Sequence, residues 1–328
     1  MSGDDRGKGD ERGARVYRLV GVPDERPLHR QVRDRIREIA LAQPLGQRTV
    51  IAPEPDLAAM MNVSRGTVRK AVDSLVAEGL LVREHGRGTF VDPGAQVRRV
   101  VSQRLNAVAR PDSRFDDDFT AFVPDYEGSV ACAERIAALP AYADAETIFV
   151  TRDNNLRPLR ERALRDGKRL IAPSHGLRTG LRVVEKVPRG QERFAGTLDG
   201  IEEFAEIVEL ERLGEYGPVG VAIAGAVAVS RDGAMFGARI DYFQAEVTLL
   251  DACGALPEDA IVVGVVHDCQ IIQPGPGATR PPAVLDLVVT PTMSFPGAEG
   301  LPRRTPPERI DRITWDAIPR MSELVSTR

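Results

Sequence analysis

The stretch Pro55-Asp56-Leu57-Ala58-Ala59-Met60-Met61-Asn62-Val63-Ser64-Arg65-Gly66-Thr67-Val68-Arg69-Lys70-Ala71-Val72 decides how the first part of the chain folds. Pro55 is suited to the start of a short helix over 56–61, because its missing N–H has no partner to lose there. Asn62 and Val63 then make a turn. Ser64 is a good N-cap for a second helix over 65–78, its hydroxyl accepting from an otherwise orphaned backbone N–H. On that helix Val68, Val72, Leu75 and Val76 recur at helical spacing and face inward, while Arg65, Thr67, Arg69 and Lys70 point elsewhere, near its N-terminal end. Gly79 closes it.

Upstream, residues 27–42 carry Leu28, Val32, Ile36, Ile39 and Ala40 on one face, the pattern of an amphipathic helix. Downstream, runs over 80–84 and 88–91 read as two strands joined by His85-Gly86-Arg87, a hairpin with a small basic tip. Helix, helix, turn, helix and basic hairpin make a winged helix-turn-helix. The last helix fits the DNA major groove, and its first turn offers Ser64, Arg65, Thr67, Arg69 and Lys70 to base edges and phosphates. The wing can lay Arg87 on the backbone or in the minor groove, with Gly86 and Gly88 allowing close approach.

The segments 56–58, 63–71, 78–81 and 86–91 resemble the GntR family of bacterial regulators over about 27–92. The resemblance implies a DNA operator as partner and a homodimer reading an inverted repeat. There is one departure: the family's Ser and Arg at the start of the second helix, which help bind DNA, correspond to Pro53 and Pro55 here.

Bulk properties fit that reading. The chain has 328 residues, enough for two domains, with 42% apolar residues to fill both cores and a net charge of −4. Residues 1–95 carry a small positive excess and the remainder is acidic, as suits a molecule that meets DNA through one face. Cys132, Cys253 and Cys269 are too few and too scattered for a disulfide framework or a zinc site, so a reducing cytoplasm is expected, with no metal and no cofactor. No run is long enough to span a membrane and no signal peptide stands at the start. The expected division is a disordered tail over 1–24, the winged helix over 25–93, a linker over 94–120 containing a strand or helix over 100–105 and Asp116-Asp117-Asp118, and a second domain over 121–328 whose tail is anchored by Trp315.

In the second domain the pattern alternates. Helices are expected over 129–139, 156–166, 198–213 and 242–253, and apolar strands over 147–151, 169–172, 219–229, 260–266 and 284–289. Near-continuous apolar strands alternating with helices imply an α/β fold with a mostly parallel, buried sheet. Such sheets bind ligands beyond the carboxyl ends of their strands, which nominates Arg152 and Asp153, 230–237, 267–270 and 290–292. His267 beside Asp268 reads as a general base, a metal ligand or a structural pocket-lining residue; one Cys nearby is too little for zinc. Tyr242 and Glu246, one helical turn apart, either line a pocket or pack on the sheet.

The segments 123–126, 157–160 with 163–164 and 167–168, 225–230, 237–240, 266–270 and 289–292 resemble, in that order, the formyltetrahydrofolate cyclo-ligase (methenyltetrahydrofolate synthetase) family. The resemblance implies a fold akin to the NagB, ribose-phosphate isomerase and CoA-transferase group, and it implies anion-binding roles for Arg157, Arg160 and Lys168. It also implies a glycine-rich, Lys-containing loop cradling ATP phosphates after the long central strand. Glycines there let backbone N–H groups approach phosphate, and a cation offsets its charge. In this sequence the loop reads Asp241-Tyr242-Phe243-Gln244-Ala245-Glu246, with Asp241, Phe243 and Ala245 at glycine positions and Tyr242 at the Lys position. Arg239 is the one nearby cation left. The expectation is a non-catalytic pocket for a small effector, folate-like, a nucleotide or a sugar phosphate, involving Arg157, Arg160, Lys168, Arg239, Tyr242, Glu246, His267, Asp268 and Thr290. The alternatives are an ATP-dependent cyclo-ligase tethered to DNA, or a second domain that only dimerises.

Overall fold

The computed structural model of the chain describes residues 25–111, 119–120, 122–237, 240–278 and 285–297, with only the backbone described at 240 and 241. The expected tail 1–24, the run Asp116-Asp117-Asp118, Arg239 and Trp315 lie outside them.

The described residues form two compact units. The first holds α1 (Leu28–Leu41), α2 (Glu54–Met61), α3 (Arg65–Ala77) and the hairpin β1 (Leu81–Glu84) and β2 (Gly88–Val91). Val32, Ile36 and Ala40, spaced by four, make the buried stripe of α1. α2 ends on Asn62 in the left-handed conformation, which Asn tolerates better than most residues. Ser64 Oγ accepts from Thr67 N at 3.1 Å and so caps α3. Val68, Val72 and Leu75 from α3 close a core with Leu57, Leu80, Leu81 and Val91. β1 and β2 pair antiparallel, Leu81 opposite Val91 and Glu84 opposite Gly88. This is the winged helix-turn-helix expected from the sequence.

The second unit contains α4 (Pro93–Leu105), α5 (Ser129–Ala137), α6 (Pro140–Asp144), β3 (Thr147–Val150), α7 (Arg157–Arg165), β4 (Arg169–Pro173), β5 (Leu181–Val184), α8 (Glu192–Ala195), α9 (Leu198–Phe204), β6 (Glu206–Ile207), β7 (Val219–Gly225), β8 (Ala228–Ser230), β9 (Met235–Phe236), α10 (Ile240–Ala252), β10 (Ile261–Val265), β11 (Ile271–Ile272), β12 (Leu287–Val289) and β13 (Ser294–Pro296). Its main sheet runs β13-β12-β10-β7-β3-β4-β5-β6. The five strands from β12 to β4 are parallel, and the outer pairings are antiparallel. β8, β9 and β11 form a separate three-stranded sheet.

Both faces of the main sheet are covered, which is why its strands read as continuous apolar runs. Ile148 and Val150 of β3 face the cluster built with α4, α5 and α7, through Val101, Leu105, Ile136 and Leu159. Phe149 faces the opposite cluster, with Leu249 and Leu250 of α10. The chain goes from β3 to β4 on one side, and then from β7 to β10 and β12 on the other, so the strand order reverses between β3 and β7.

Three expectations need correction. Much of the supposed linker over 94–120 is helix: α4 buries Val97, Val101 and Leu105 in the α/β core. The expected strand over 219–229 breaks, because Gln270 Nε2 donates to the carbonyls of Ala226 and Val227 and turns the chain into the second sheet. The expected helix over 198–213 ends at Phe204, followed by β6 and the 3-10 turn Leu210–Tyr216.

Candidate functional site

On the first unit, the residues expected at DNA share one end of α3 and the hairpin tip. Ser64, Arg65, Arg69 and Lys70 are exposed and Thr67 is half-buried. Ser64 Oγ is also 2.9 Å from Thr67 Oγ1, so these two hydroxyls serve the cap first. At the wing, Gly86 has φ +72 and Gly88 φ +117, conformations that a side chain would strain, and Arg87 stands exposed between them with Glu84 3.0 Å away. The N-cap position of α2 is Pro53, which offers no side-chain hydrogen bond. Glu54 beside it pairs with Arg69 at 3.2 Å and with Arg83 at 3.0 Å. The sequence reading did not single out Glu54, although a carboxylate between two cations lowers the positive charge that the end of α3 and β1 present.

On the second unit, the residues expected at one effector pocket fall in separate places. At the strand-order reversal, the carboxyl end of β3 meets that of β7. Thr151 Oγ1 donates to Asp153 Oδ2 at 2.5 Å, and that same oxygen accepts from Gly225 N at 3.2 Å. A Cβ on Gly225 would stand 2.6 Å from the Asp153 Cβ, so only glycine lets the carboxylate lie there. Next to this point opens a cleft of about 540 Å³ whose lining includes Asn154, Arg157, Arg160, Arg110 and Phe194. Arg157 is half-buried, 3.7 Å from Asp125. Arg160 is buried and donates to the carbonyls of Gly196, Thr151 and Asp153, each at 2.9 Å. The rule of strand carboxyl ends pointed to Arg152 and Asp153 and stopped one residue short of Asn154. Arg110 and Phe194 come from segments distant in sequence and carried no signal.

Beyond β10 and β12 sits a second group. Asp268 Oδ1 accepts from Thr290 Oγ1 and from Thr292 Oγ1, both at 2.6 Å. Burial pushes the Asp268 carboxyl up, but these two donors and neighbouring His267 outweigh it, so the group stays below the usual carboxylate range. His267 caps the following turn, its Nδ1 accepting from Cys269 N at 3.2 Å. Its ring meets Tyr126 edge-on at 5.3 Å, and burial holds its pKa below the usual imidazole value. The described residues contain no cluster of three or more His, Cys, Asp or Glu suited to a metal.

Lys168 stands apart, at the amino end of β4. Its Nζ donates to Ala145 O at 2.6 Å and Ala143 O at 3.3 Å, over the Tyr142 ring. It ties α6 to the sheet and does not join the residues at the carboxyl ends. Tyr242 is half-buried and Glu246 is buried, both on α10. The helix expected over 242–253 is present and begins at Ile240, so the positions that correspond to the family's phosphate loop lie in its first turns.

Comparison with known proteins matches residues 28–91 to the GntR family of bacterial regulatory proteins and residues 93–291 to the 5-formyltetrahydrofolate cyclo-ligase family. The chain is 28% identical over 175 residues to the methenyltetrahydrofolate synthase domain-containing protein of Danio rerio, covering 52% of this chain and 45% of that protein. It is 36% identical over 90 residues to the probable fructoselysine utilization operon transcriptional repressor of Shigella flexneri, covering 27% of this chain and 33% of that one. A crystal structure of AraR(DBD) in complex with operator ORE1 shares 34% identity, covering 24% of this chain and all but 1% of that one, with a TM-score of 0.21. The chain thus spans less than half the length of these curated relatives. Among the described residues no helix is long and apolar enough to cross a membrane. Through residues 93–291 the chain belongs to the 5-formyltetrahydrofolate cyclo-ligase family, and at residues 28–91 it carries a GntR-type DNA-binding regulatory domain.

Proposed function

We propose that this chain is a transcriptional regulator whose cyclo-ligase-like domain binds a small metabolite as an effector and no longer turns over substrate. The observation that carries this reading is α10. Where the family resemblance expects a glycine loop around phosphates, residues 240–252 are helical, with Phe243 and Ala245 packed in the core at 6% and 0% exposure. From residue 244 onward the backbone N–H groups belong to the helix's own hydrogen-bond ladder and are not free to cradle a triphosphate. On the DNA side, Arg65, Thr67, Arg69 and Lys70 on α3 read base edges and phosphates, and Arg87 at the wing contacts the backbone. The regulator acts as a homodimer on an inverted repeat, and the effector, folate-like, a nucleotide or a sugar phosphate, shifts the population between dimer geometries.

The test uses the purified full-length chain. Operator affinity is followed by fluorescence anisotropy with and without each class of metabolite. ATP-dependent cyclisation of formyltetrahydrofolate is assayed in parallel. A metabolite that changes operator affinity in the absence of turnover is the expected result. Measurable cyclisation overturns the non-catalytic reading, and operator affinity indifferent to every metabolite overturns the sensing role.

A further inference from the structure

Arg160 is the largest side chain among the fully buried ones, at 1% exposure. A guanidinium has five N–H donors. Three are used: Nε–H reaches Gly196 O, and the two Nη1 protons reach Thr151 O and Asp153 O. All three acceptors are neutral carbonyls, and among the described residues no carboxylate oxygen lies within 4 Å and no partner reaches the Nη2 protons. The nearby carboxylates of Asp153 and Asp125 favour the charged form without touching it, and burying a charge that no carboxylate contacts is costly. Burial accordingly pulls the pKa of Arg160 down to about 9, which still leaves the group charged at neutral pH.

The remaining donors have somewhere to act, since Arg160 lines the cleft beyond β3. Arg157, one helical turn earlier, stands at the same cleft with its carboxylate contacts stretched to 3.7 Å from Asp125 and 4.0 Å from Glu161. Arg110 shares Asp125 with it, at 3.3 Å. The two outer cations thus share Asp125, and the inner one has no carboxylate in direct contact. The lining also holds apolar groups, Phe194, 44% exposed and edge-on to Phe204, and Leu198, with Thr197 and Asp199 on either side of Leu198. An exposed aromatic ring on the same cleft as a guanidinium with open donors suits a molecule with a charged head and an apolar body.

We infer that this cleft binds a small organic anion, its carboxylate or phosphate oxygen taken by Arg160 Nη2 and Arg157, and its apolar body laid against Phe194. The inference rests on the effector reading of the domain and deepens it by naming the ligand class.

The experiment titrates the full chain with benzoate, phenyl phosphate and uncharged benzamide by calorimetry. Saturable binding of benzoate or phenyl phosphate, and none of benzamide, is expected; which of the two binds more tightly separates a carboxylate site from a phosphate site. Arg157→Gln, at a half-buried position whose nearest carboxylate contacts are 3.7 Å and longer, should weaken binding about tenfold or more, a step of about 1.4 kcal/mol, with the fold checked by an unchanged denaturation midpoint. Phe194→Ser should weaken phenyl phosphate while leaving inorganic phosphate unchanged. Equal binding by the wild type and Arg157→Gln, or no saturable binding of either anion, overturns the site. Operator anisotropy on the same samples separates the two claims. Arg157-dependent binding that leaves operator affinity unchanged keeps the site and removes the sensing role. An operator response to metabolite that survives Arg157→Gln keeps sensing and removes this cleft as its seat.

Discussion

Arg65 and Arg69 both stand in the first turns of α3, yet their surroundings differ. Arg65 makes no ion pair, whereas Arg69 is held by Glu54, which also holds Arg83. Arg65→Ala should weaken specific operator binding by about 1–3 kcal/mol, read by anisotropy, if it contacts a base edge. Glu54→Gln should tighten binding and steepen its salt dependence, because it frees two cations and removes a carboxylate from the phosphate-facing surface. Unchanged affinity in both variants would mean that another surface meets the operator. His267 gives a pH prediction. The folded state holds its imidazole below the ordinary value of 6.5, so the unfolded chain takes the proton more readily. Stability is then complete above pH 6.5 and falls as pH drops through that value. Protonation also removes the acceptor that caps the turn at Cys269. His267→Asn, which keeps an acceptor but does not titrate, should flatten the denaturation midpoint between pH 7 and about pH 5. At this scale caps and exposed arginines were legible in the sequence, since Ser64 announces itself by position. Arg160 and Lys168 were not, because what fixes them is backbone carbonyls, which have no letter of their own.

Among the elements, α4 is written in the sequence but only partly read there, as a strand or helix over 100–105. Val97, Val101 and Leu105 recur at four, and Pro93 is an ordinary first residue for a helix. Flanking polar and Pro-bearing segments made the stretch look like a connection. Leu105→Ala should cost about 2–5 kcal/mol in urea denaturation, the usual range for a fully buried leucine. The break between β7 and β8 could not be read locally, since an apolar run looks the same whether it continues or turns; the decision belongs to Gln270, some forty positions away in sequence. α10 holds a different kind of strain. Gln244 is 4% exposed and neither amide atom has a hydrogen-bond partner. An unsatisfied buried amide costs about 1–3 kcal/mol, so Gln244→Leu should raise the denaturation midpoint. A lower midpoint would mean that the amide has a partner in solution.

For the whole molecule, the pattern of two cores was visible from length, charge asymmetry and the change from winged-helix spacing to alternating strands. The layout of the sheet was legible only in part: a parallel centre followed from continuous apolar runs, whereas the antiparallel edges β5, β6 and β13 were not read, β6 being only two residues long and exposed. Hydrogen exchange of the full chain should resolve two protected groups of amides, one per core, and an effector should slow exchange chiefly in the second. The division between these groups does not fall at one point. Residues 43–48, between α1 and α2, belong to the second unit, so the chain passes between units three times. Gln96 Nε2 donates to Gln43 O at 2.8 Å, Gly275 N donates to Leu45 O at 2.8 Å, and Gln47 bridges to Ala278. A fragment ending at Asp92 would carry away six residues whose partners stay behind, and the remainder would lack a piece of itself. The family matches at 28–91 and 93–291 are consecutive, but the compact units interleave along the chain. Grafting the first unit onto another receptor by simple recombination at residue 92 would leave a mismatched joint, and a working exchange needs residues 43–48 to travel with the unit they pack in.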